Sequence, residues 1–79
     1  MTKNENIYET SDLGLAASLT ASGFPIHAID KSNPRRVIFR FNSSNELDSA
    51  IDSYWSNTLL LSAQDLLGHI KMLKSRIYS

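Results

Sequence analysis

Residues 23–41 read GFPIHAIDKSNPRRVIFRF, and this stretch decides the fold. Two runs rich in β-forming residues, Ile26–Asp30 and Arg36–Phe41, flank a polar segment that contains Asn33 and Pro34. Proline suits the second position of a tight turn, and the residue before a proline is pushed toward an extended conformation. The stretch therefore predicts a β-hairpin.

The alternation of side chains along the second predicted strand assigns its two faces. Val37, Phe39 and Phe41 fall on one side, because successive side chains of a strand point to opposite faces of the sheet. We expect this side to belong to the core. Arg36 and Arg40 fall on the other side, so neither arginine is expected to be needed for folding.

A helix over residues 12–22 is predicted before the hairpin. Thr10 or Ser11 can accept the unpaired amides of its first turn. Gly23 can take the left-handed conformation that ends many helices, and Pro25 prevents continuation. The expected apolar stripe of this helix is narrow and consists of Leu15, Ala16 and Leu19.

Two amphipathic helices are predicted after the hairpin, over residues 44–56 and 63–77. Ser43 and Glu46 have the spacing of a capping box at the start of the first. Helical spacing assigns to its buried face Leu47, Ala50, Ile51, Tyr54 and Trp55. The buried face of the second contains Ala63, Leu66, Leu67, Ile70, Leu73 and Ile77. The sequence leaves open whether residues 59–61 extend the last helix, cross the core as a short strand or form a loop.

The elements predict an α+β fold in the order (β)-α-β-β-α-α. A small antiparallel sheet is formed by the hairpin, with Ile7–Thr10 as a candidate third strand, and three helices pack on one face. Residues 1–6 are polar and are expected to be a disordered tail, and residues 7–79 form a single domain. Without cysteine there are no disulfides, so packing and oligomerisation are the remaining sources of stability.

Charge and hydropathy restrict the classes of partner. Lys+Arg and Asp+Glu both number 8, so the net charge is zero and any attraction to nucleic acid needs a local basic patch. Apolar runs such as Leu59–Leu61 are too short to span a bilayer, and the N-terminal residues lack the apolar region of a secretory signal. We expect a cytoplasmic protein without a membrane partner.

Several segments together resemble a family of short bacterial and phage proteins catalogued as a domain of unknown function. The matching segments are IYETSDLGLAASLTASGF at residues 7–24, VIFRF at 37–41, ELDSAIDSYW at 46–55 and the closing stretch at 61–78. The resemblance covers residues 7–78. It implies a single compact, free-standing module, and it carries no catalytic residues that would transfer to this chain.

Groups that perform catalysis or bind metals are sparse in the sequence. The chain has no cysteine, and its two histidines, His27 and His69, are predicted on a strand and on the solvent side of a helix. No serine lies in a glycine-flanked strand–turn–helix elbow, and the glycines are too scattered for a phosphate loop. The sequence predicts no enzyme, no catalytic residues, no metal site and no cofactor.

Basic residues are concentrated on the hairpin, at Lys31, Arg35, Arg36 and Arg40. A secondary basic patch near the C terminus consists of Lys71, Lys74 and Arg76. Arginines on a hairpin can lie along a nucleic-acid backbone. The first hypothesis is therefore a small non-enzymatic binding or accessory module that contacts nucleic acid through the hairpin.

The alternative hypothesis is a protein–protein adaptor or homodimerisation module without a nucleic-acid role. In this reading Ile29 and Ile38 form an apolar centre on the outer face of the sheet. The acidic helix over residues 44–56 of one copy would then meet the basic hairpin of another.

Overall fold

In the computed structural model, which describes residues 7–78, three strands and three helices follow one another in the order β-α-β-β-α-α. They are β1 (Ile7–Thr10), α1 (Leu13–Ala21), β2 (Ile26–Asp30), β3 (Ile38–Asn42), α2 (Asn45–Trp55) and α3 (Ala63–Tyr78). The predicted α+β fold is confirmed, and the candidate N-terminal strand is present. The tail expected at residues 1–6 lies outside the described residues.

β3 is the central strand of a three-stranded antiparallel sheet with the order β1-β3-β2. In β1, Tyr8 lies opposite Phe41 and Thr10 lies opposite Phe39. Residues directly opposite each other in an antiparallel pair share one face of the sheet. Phe39 and Phe41 are 1% and 0% exposed, so the predicted core face of the central strand is confirmed.

A β-bulge at His27 changes which residues of β2 face the core. Ile26 and Ile29 pair with the two core phenylalanines of β3 although they are three positions apart. An extra residue in one strand shifts the alternation of its side chains by one position. The expectation that Ile29 joins Ile38 on the outer face is therefore wrong, because Ile29 packs against the core.

β3 begins two residues later than the sequence predicts. Arg36 belongs to the preceding loop, where its amide donates to the carbonyl of Asn33 at 3.0 Å. The side-chain oxygen of Asn33 also accepts from the amide of Arg35 at 3.0 Å. These bonds close a turn with Pro34 at its second position, as predicted. Arg36 therefore lies outside β3, and the predicted start of this strand is wrong.

α1 is the central helix of the domain. Its residues 15–19 are all buried, and it packs against both α2 and α3. Because successive residues of a helix point about 100° apart, five consecutive buried residues mean that neighbours surround α1 on every side. The predicted narrow stripe is thus too small. The short side chains of Ala16 and Ala17 allow the other elements to approach closely.

Side-chain caps begin α1 and α2, but at positions other than those predicted. The carboxylate of Asp12 accepts from the amide of Leu15 at 3.1 Å, and it replaces the expected threonine or serine cap. The hydroxyl of Ser44 accepts from the amide of Leu47 at 3.0 Å, so Ser43 is not the cap of α2. Each cap satisfies an amide that has no partner within its helix.

α1 ends at a left-handed glycine, as the sequence predicts. Gly23 has a φ of 103°. The amides of Gly23 and Phe24 donate to the carbonyls of Thr20 and Leu19, both at 3.0 Å. This pair of bonds is a Schellman motif, which satisfies two carbonyls at the end of the helix.

Replacing Gly23 with alanine is expected to lower the free energy of unfolding by about 1 kcal/mol or more, because a side chain disfavours positive φ. A Cβ at this position would have no atom within 4 Å, so the loss would report backbone conformation and not crowding. Urea denaturation measures it. Gly68→Ala within α3 is the matched control, since alanine there meets no atom within 4 Å and favours the helix. A neutral Gly23→Ala would contradict the assignment.

The predicted buried faces of α2 and α3 are only partly buried. Trp55 is 61% exposed because it is the last residue of α2, and Leu67 is 59% exposed on α3. Both predictions of burial are wrong, and so is the prediction for Ala63, which is exposed at the start of α3. Leu73 is fully buried. The segment Leu59–Leu61 is neither helix nor strand, so of the three states that the sequence left open it is a loop. No helix within residues 7–78 has the length and apolar character needed to cross a membrane.

Candidate protein-interaction surface

An open groove of about 520 Å³ lies between the C-terminal end of α2 and the N-terminal part of α3, and we call it the α2–α3 groove. Most of its lining is apolar or aromatic. The lining residues are Ser18, Tyr54, Trp55, Asn57, Leu59, Leu61 and Leu66. A lining of this kind is suited to receiving an apolar side chain.

Three large apolar side chains remain exposed at the groove and next to it in the chain. Trp55 is 61% exposed, Leu60 is 92% exposed and Leu67 is 59% exposed. Trp55 lines the groove and packs edge-to-face on Tyr54, with ring centroids 4.9 Å apart. In the sequence Leu60 lies between Leu59 and Leu61, and Leu67 follows Leu66. These three neighbours all line the groove. An exposed apolar patch of this kind is typical of an interaction site.

The loop that forms one wall of the groove begins at a second Schellman motif. Asn57 has a φ of 61°, and its amide donates to the carbonyl of Tyr54 at 3.2 Å. The amide of Thr58 donates to the carbonyl of Ser53 at 2.9 Å. Asparagine is one of the residues that tolerates this left-handed conformation. These bonds set the direction in which the leucine segment leaves α2.

Tyr54 reaches α1 at the position of a glycine. A Cβ at Gly14 would lie 2.9 Å from the Tyr54 hydroxyl oxygen, so a larger residue would displace the ring. Burial raises the pKa of Tyr54 above its ordinary value, and the negative charge of Asp12 adds to the effect. The phenol therefore remains protonated at neutral pH and keeps a hydroxyl that can donate a hydrogen bond.

The two helices that border the groove carry exposed stripes of opposite charge. On α2, exposed Asp48 and Asp52 share a face with Trp55, since helical residues spaced by three or four positions are neighbours. We call this the acidic stripe. On α3, Lys71 and Lys74 are exposed and share a face with Leu67 in the same way. We call this the basic stripe.

On the predicted hairpin surface, Arg40 is not a free cation. Its Nε donates to a carboxylate oxygen of Glu9 at 2.6 Å, and its Nη2 donates to Asp30 at 3.3 Å. Glu9 lies directly opposite Arg40 in the register of β1 and β3. Hydrogen bonds with Glu9 raise the pKa of Arg40. Hydrogen bonds from Ser32, followed by Arg40, lower the pKa of Asp30. The charge of Arg40 therefore serves to join all three strands.

The other predicted basic residues do not form one patch. The ammonium group of Lys31 donates to the main-chain carbonyl of Arg76 at 3.0 Å. A positive charge at this position stabilises α3, because the C-terminal end of a helix carries a partial negative charge. Arg35 and Arg36 are exposed in the hairpin loop. In the secondary patch, Arg76 is turned away around the helix from the basic stripe and lines a different groove, which also contains His69 and Met72.

We expect Arg40→Met to lower the melting temperature at pH 7, because it removes both ion pairs and keeps an apolar stem. Folding lowers the pKa of Asp30 below its ordinary value of 3.8. The ionised Asp30 carboxylate therefore stabilises the folded state above pH 3.8, and this contribution is lost as the pH falls through the lowered pKa of the folded state. The difference from wild type should therefore shrink in thermal melts near pH 3. Arg36→Met is the matched control, and equal melting of the two variants would contradict a structural role for Arg40.

The two histidines lie on different elements and do not share a site. His27 is exposed at the bulge in β2. His69 is half-buried, and its Nδ1 is buried without a hydrogen-bond partner, so the predicted solvent-facing position is wrong. Across the described range, no three side chains of His, Cys, Asp or Glu are grouped as metal ligands.

The comparisons with known proteins extend the resemblance seen in the sequence. No curated protein and no solved structure matches the chain at a significant level. A family described as a domain of unknown function, DUF5659, has a model that matches residues 5–79. The resemblance to a domain of unknown function is therefore confirmed, and the chain belongs to the DUF5659 family.

Proposed function

We propose that this domain is a non-enzymatic protein-interaction module whose contact surface is the α2–α3 groove with Trp55, Leu60 and Leu67. The observation that carries the proposal is the exposure of these three large apolar side chains, of which Trp55 lines the groove and Leu60 and Leu67 are sequence neighbours of residues that do. Exposed apolar area gains about 25 cal/mol per Å² when a partner covers it. The centres of protein interfaces are enriched in aromatic and apolar anchors of this kind.

The chemistry of the groove supports binding and not catalysis. Its polar lining residues are Ser18, Tyr54 and Asn57. A hydroxyl becomes a nucleophile when a base lies beside it, and none of these three side chains is a base of that kind at neutral pH. The groove therefore offers an apolar surface with a few hydrogen-bonding groups, which suits a peptide or protein surface.

Nucleic-acid binding through the hairpin is the second candidate. Arg35 and Arg36 favour it, because both are exposed at the loop. The ion pairs of Arg40 and the bond from Lys31 to α3 weaken it, since these cations already interact within the domain. Leu60, beside the α2–α3 groove, is 92% exposed and is not covered by another part of the domain. The groove is therefore the stronger candidate surface.

Site-specific photo-crosslinking tests the two candidates together. A benzophenone amino acid is placed at position 60 in one variant and at position 36 in another, in cells of the native host. We expect position 60 to yield a protein adduct that disappears when Trp55→Ser is added. A nucleic-acid adduct from position 36, with none from position 60, would overturn the proposal in favour of the second candidate.

A further inference from the structure

We propose that a second groove of the domain binds a small amphipathic carboxylate, with the carboxylate at Arg76 and His69 and the apolar part against Met72. This groove lies between the end of α1, the start of β2 and one face of α3, and we call it the Arg76 groove. Its volume of about 420 Å³ is within the range of about 300–1,000 Å³ that is usual for small-molecule sites. It shares no lining residue with the α2–α3 groove, so the proposal is independent of the protein-interaction surface.

The charges at the Arg76 groove are positive. Arg76 lines it, and none of the described residues in the lining is acidic. The ammonium group of Lys31 lies beside it, because it donates to the main-chain carbonyl of Arg76 at 3.0 Å. Arg76 also interacts within the chain, and the five N–H donors of a guanidinium can serve a second partner at the same time. A carboxylate complements this end of the groove, since arginine binds carboxylates through two parallel hydrogen bonds.

His69 adds a second donor. Its Nδ1 is buried without a hydrogen-bond partner. A proton on that nitrogen would be a buried donor without an acceptor, which folded proteins avoid, so the neutral ring carries its proton on Nε2. Nε2 is then the nitrogen that can donate to a ligand in the groove, which His69 lines. His69 and Arg76 are two helical turns apart on the same face of α3, with Met72 between them. The long arginine side chain can span these turns, so both donors can reach one carboxylate.

The apolar side of the groove is held in place by the fold. Phe24, Ile26 and Met72 line it and pack against the core. Phe24 is fixed by the Schellman motif, in which its amide donates to the carbonyl of Leu19 at 3.0 Å. Ile26 is fixed by its pairing with Phe41 in the sheet. An alkyl or aryl group can cover the three lining side chains while its carboxylate meets the two donors.

Octanoate is the probe, and nuclear magnetic resonance of the full chain measures its binding. We expect octanoate to shift the signals of the Met72 methyl group and the Gly23 amide, because both residues line the groove. The indole signal of Trp55, the single tryptophan, should not change, because it belongs to the other groove. Acetate lacks the apolar part and octanamide lacks the negative charge, so each should bind more weakly by about tenfold or more.

Arg76→Gln tests the contact with the carboxylate. The variant should bind octanoate more weakly by about tenfold or more, because it loses a hydrogen-bonded pair of opposite charges. Lys74→Gln is the matched control, since it removes the same charge from an exposed position of α3 outside the groove. Circular dichroism verifies that both variants are folded. Equal affinities of the two variants for octanoate would overturn the assignment of the carboxylate to Arg76.

His69→Phe distinguishes a ligand contact from a structural role. The substitution keeps a flat ring and removes the unpaired nitrogen, so the melting temperature should rise while octanoate binds several-fold more weakly. A variant that binds octanoate as tightly as the wild type would overturn the contact with His69. In the wild-type chain, octanoate that shifts only the Trp55 signal, or that shifts no signal, would overturn the site as a whole.

Discussion

Replacing Phe39 with alanine is expected to unfold the domain. Phe39 is 1% exposed in β3, the central strand of the sheet, where it is opposite Thr10 of β1 and Ile29 of β2. Truncation of a buried phenylalanine costs about 3–5 kcal/mol, through lost burial and the cavity left behind. A domain this small rarely has more than about 3–5 kcal/mol in total. Far-ultraviolet circular dichroism and urea titration measure the loss of the cooperative transition.

Tyr78→Ala is the matched control for the Phe39 variant. Tyr78 is an aromatic residue that is 82% exposed at the end of α3. Substitutions at such surface positions usually change stability by less than about 0.5 kcal/mol. A Phe39→Ala protein that melts cooperatively at a near-normal temperature would show that the core face of β3 is assigned to the wrong side.

Leu73→Ala should cause the second largest loss, about 2–5 kcal/mol of unfolding free energy. Leu73 is 0% exposed and is the position at which α3 is anchored in the core around α1. Its removal leaves a cavity beneath a helix of 16 residues whose remaining apolar contacts are only half-buried. Chemical denaturation followed by circular dichroism gives the value.

Leu67→Ala is the matched control, because it makes the same chemical change at an exposed position of α3. The comparison shows whether the loss of stability comes from burial of the leucine or from the substitution itself. Leu67 is 59% exposed, so the isolated domain should lose little stability. Both variants should be measured across a range of protein concentrations. A loss that grows with concentration belongs to self-association and not to the fold of one chain. Equal losses for the two leucines, independent of concentration, would contradict the assigned orientation of α3.

Local signals in the sequence were sufficient for the order of elements and for the central strand. Gly23 can adopt positive φ without a side-chain penalty, and Pro34 restricts its own φ, so each acts within its own turn. The alternation that ends in Phe39 and Phe41 also needs only neighbours along β3. These features depend on residues a few positions apart, which is why the sequence alone predicts them.

The surface chemistry depended on contacts between distant segments. Glu9 and Arg40 are 31 residues apart in sequence, and only the pairing of β1 with β3 places the carboxylate on the guanidinium. The bulge at His27 turns Ile29 into the core, because one extra residue reverses the faces beyond it. A pattern of residue types along the chain does not show which distant residues come into contact, so the sequence alone does not predict the ion pair of Arg40 or the inward position of Ile29.

The candidate site was decided by the same kind of non-local packing. Helical periodicity assigns Trp55 and Leu67 to apolar faces, and both residues do lie beside apolar positions of their helices. Whether such a face is covered depends on which elements pack against it. α1 packs against both α2 and α3, whereas Trp55 at the end of α2 and Leu67 on α3 remain exposed. The sequence by itself therefore determined which residues are apolar and how the chain is divided into elements. The tertiary structure decided which apolar residues stay exposed, because burial is a property of neighbours that the chain brings together only when it folds.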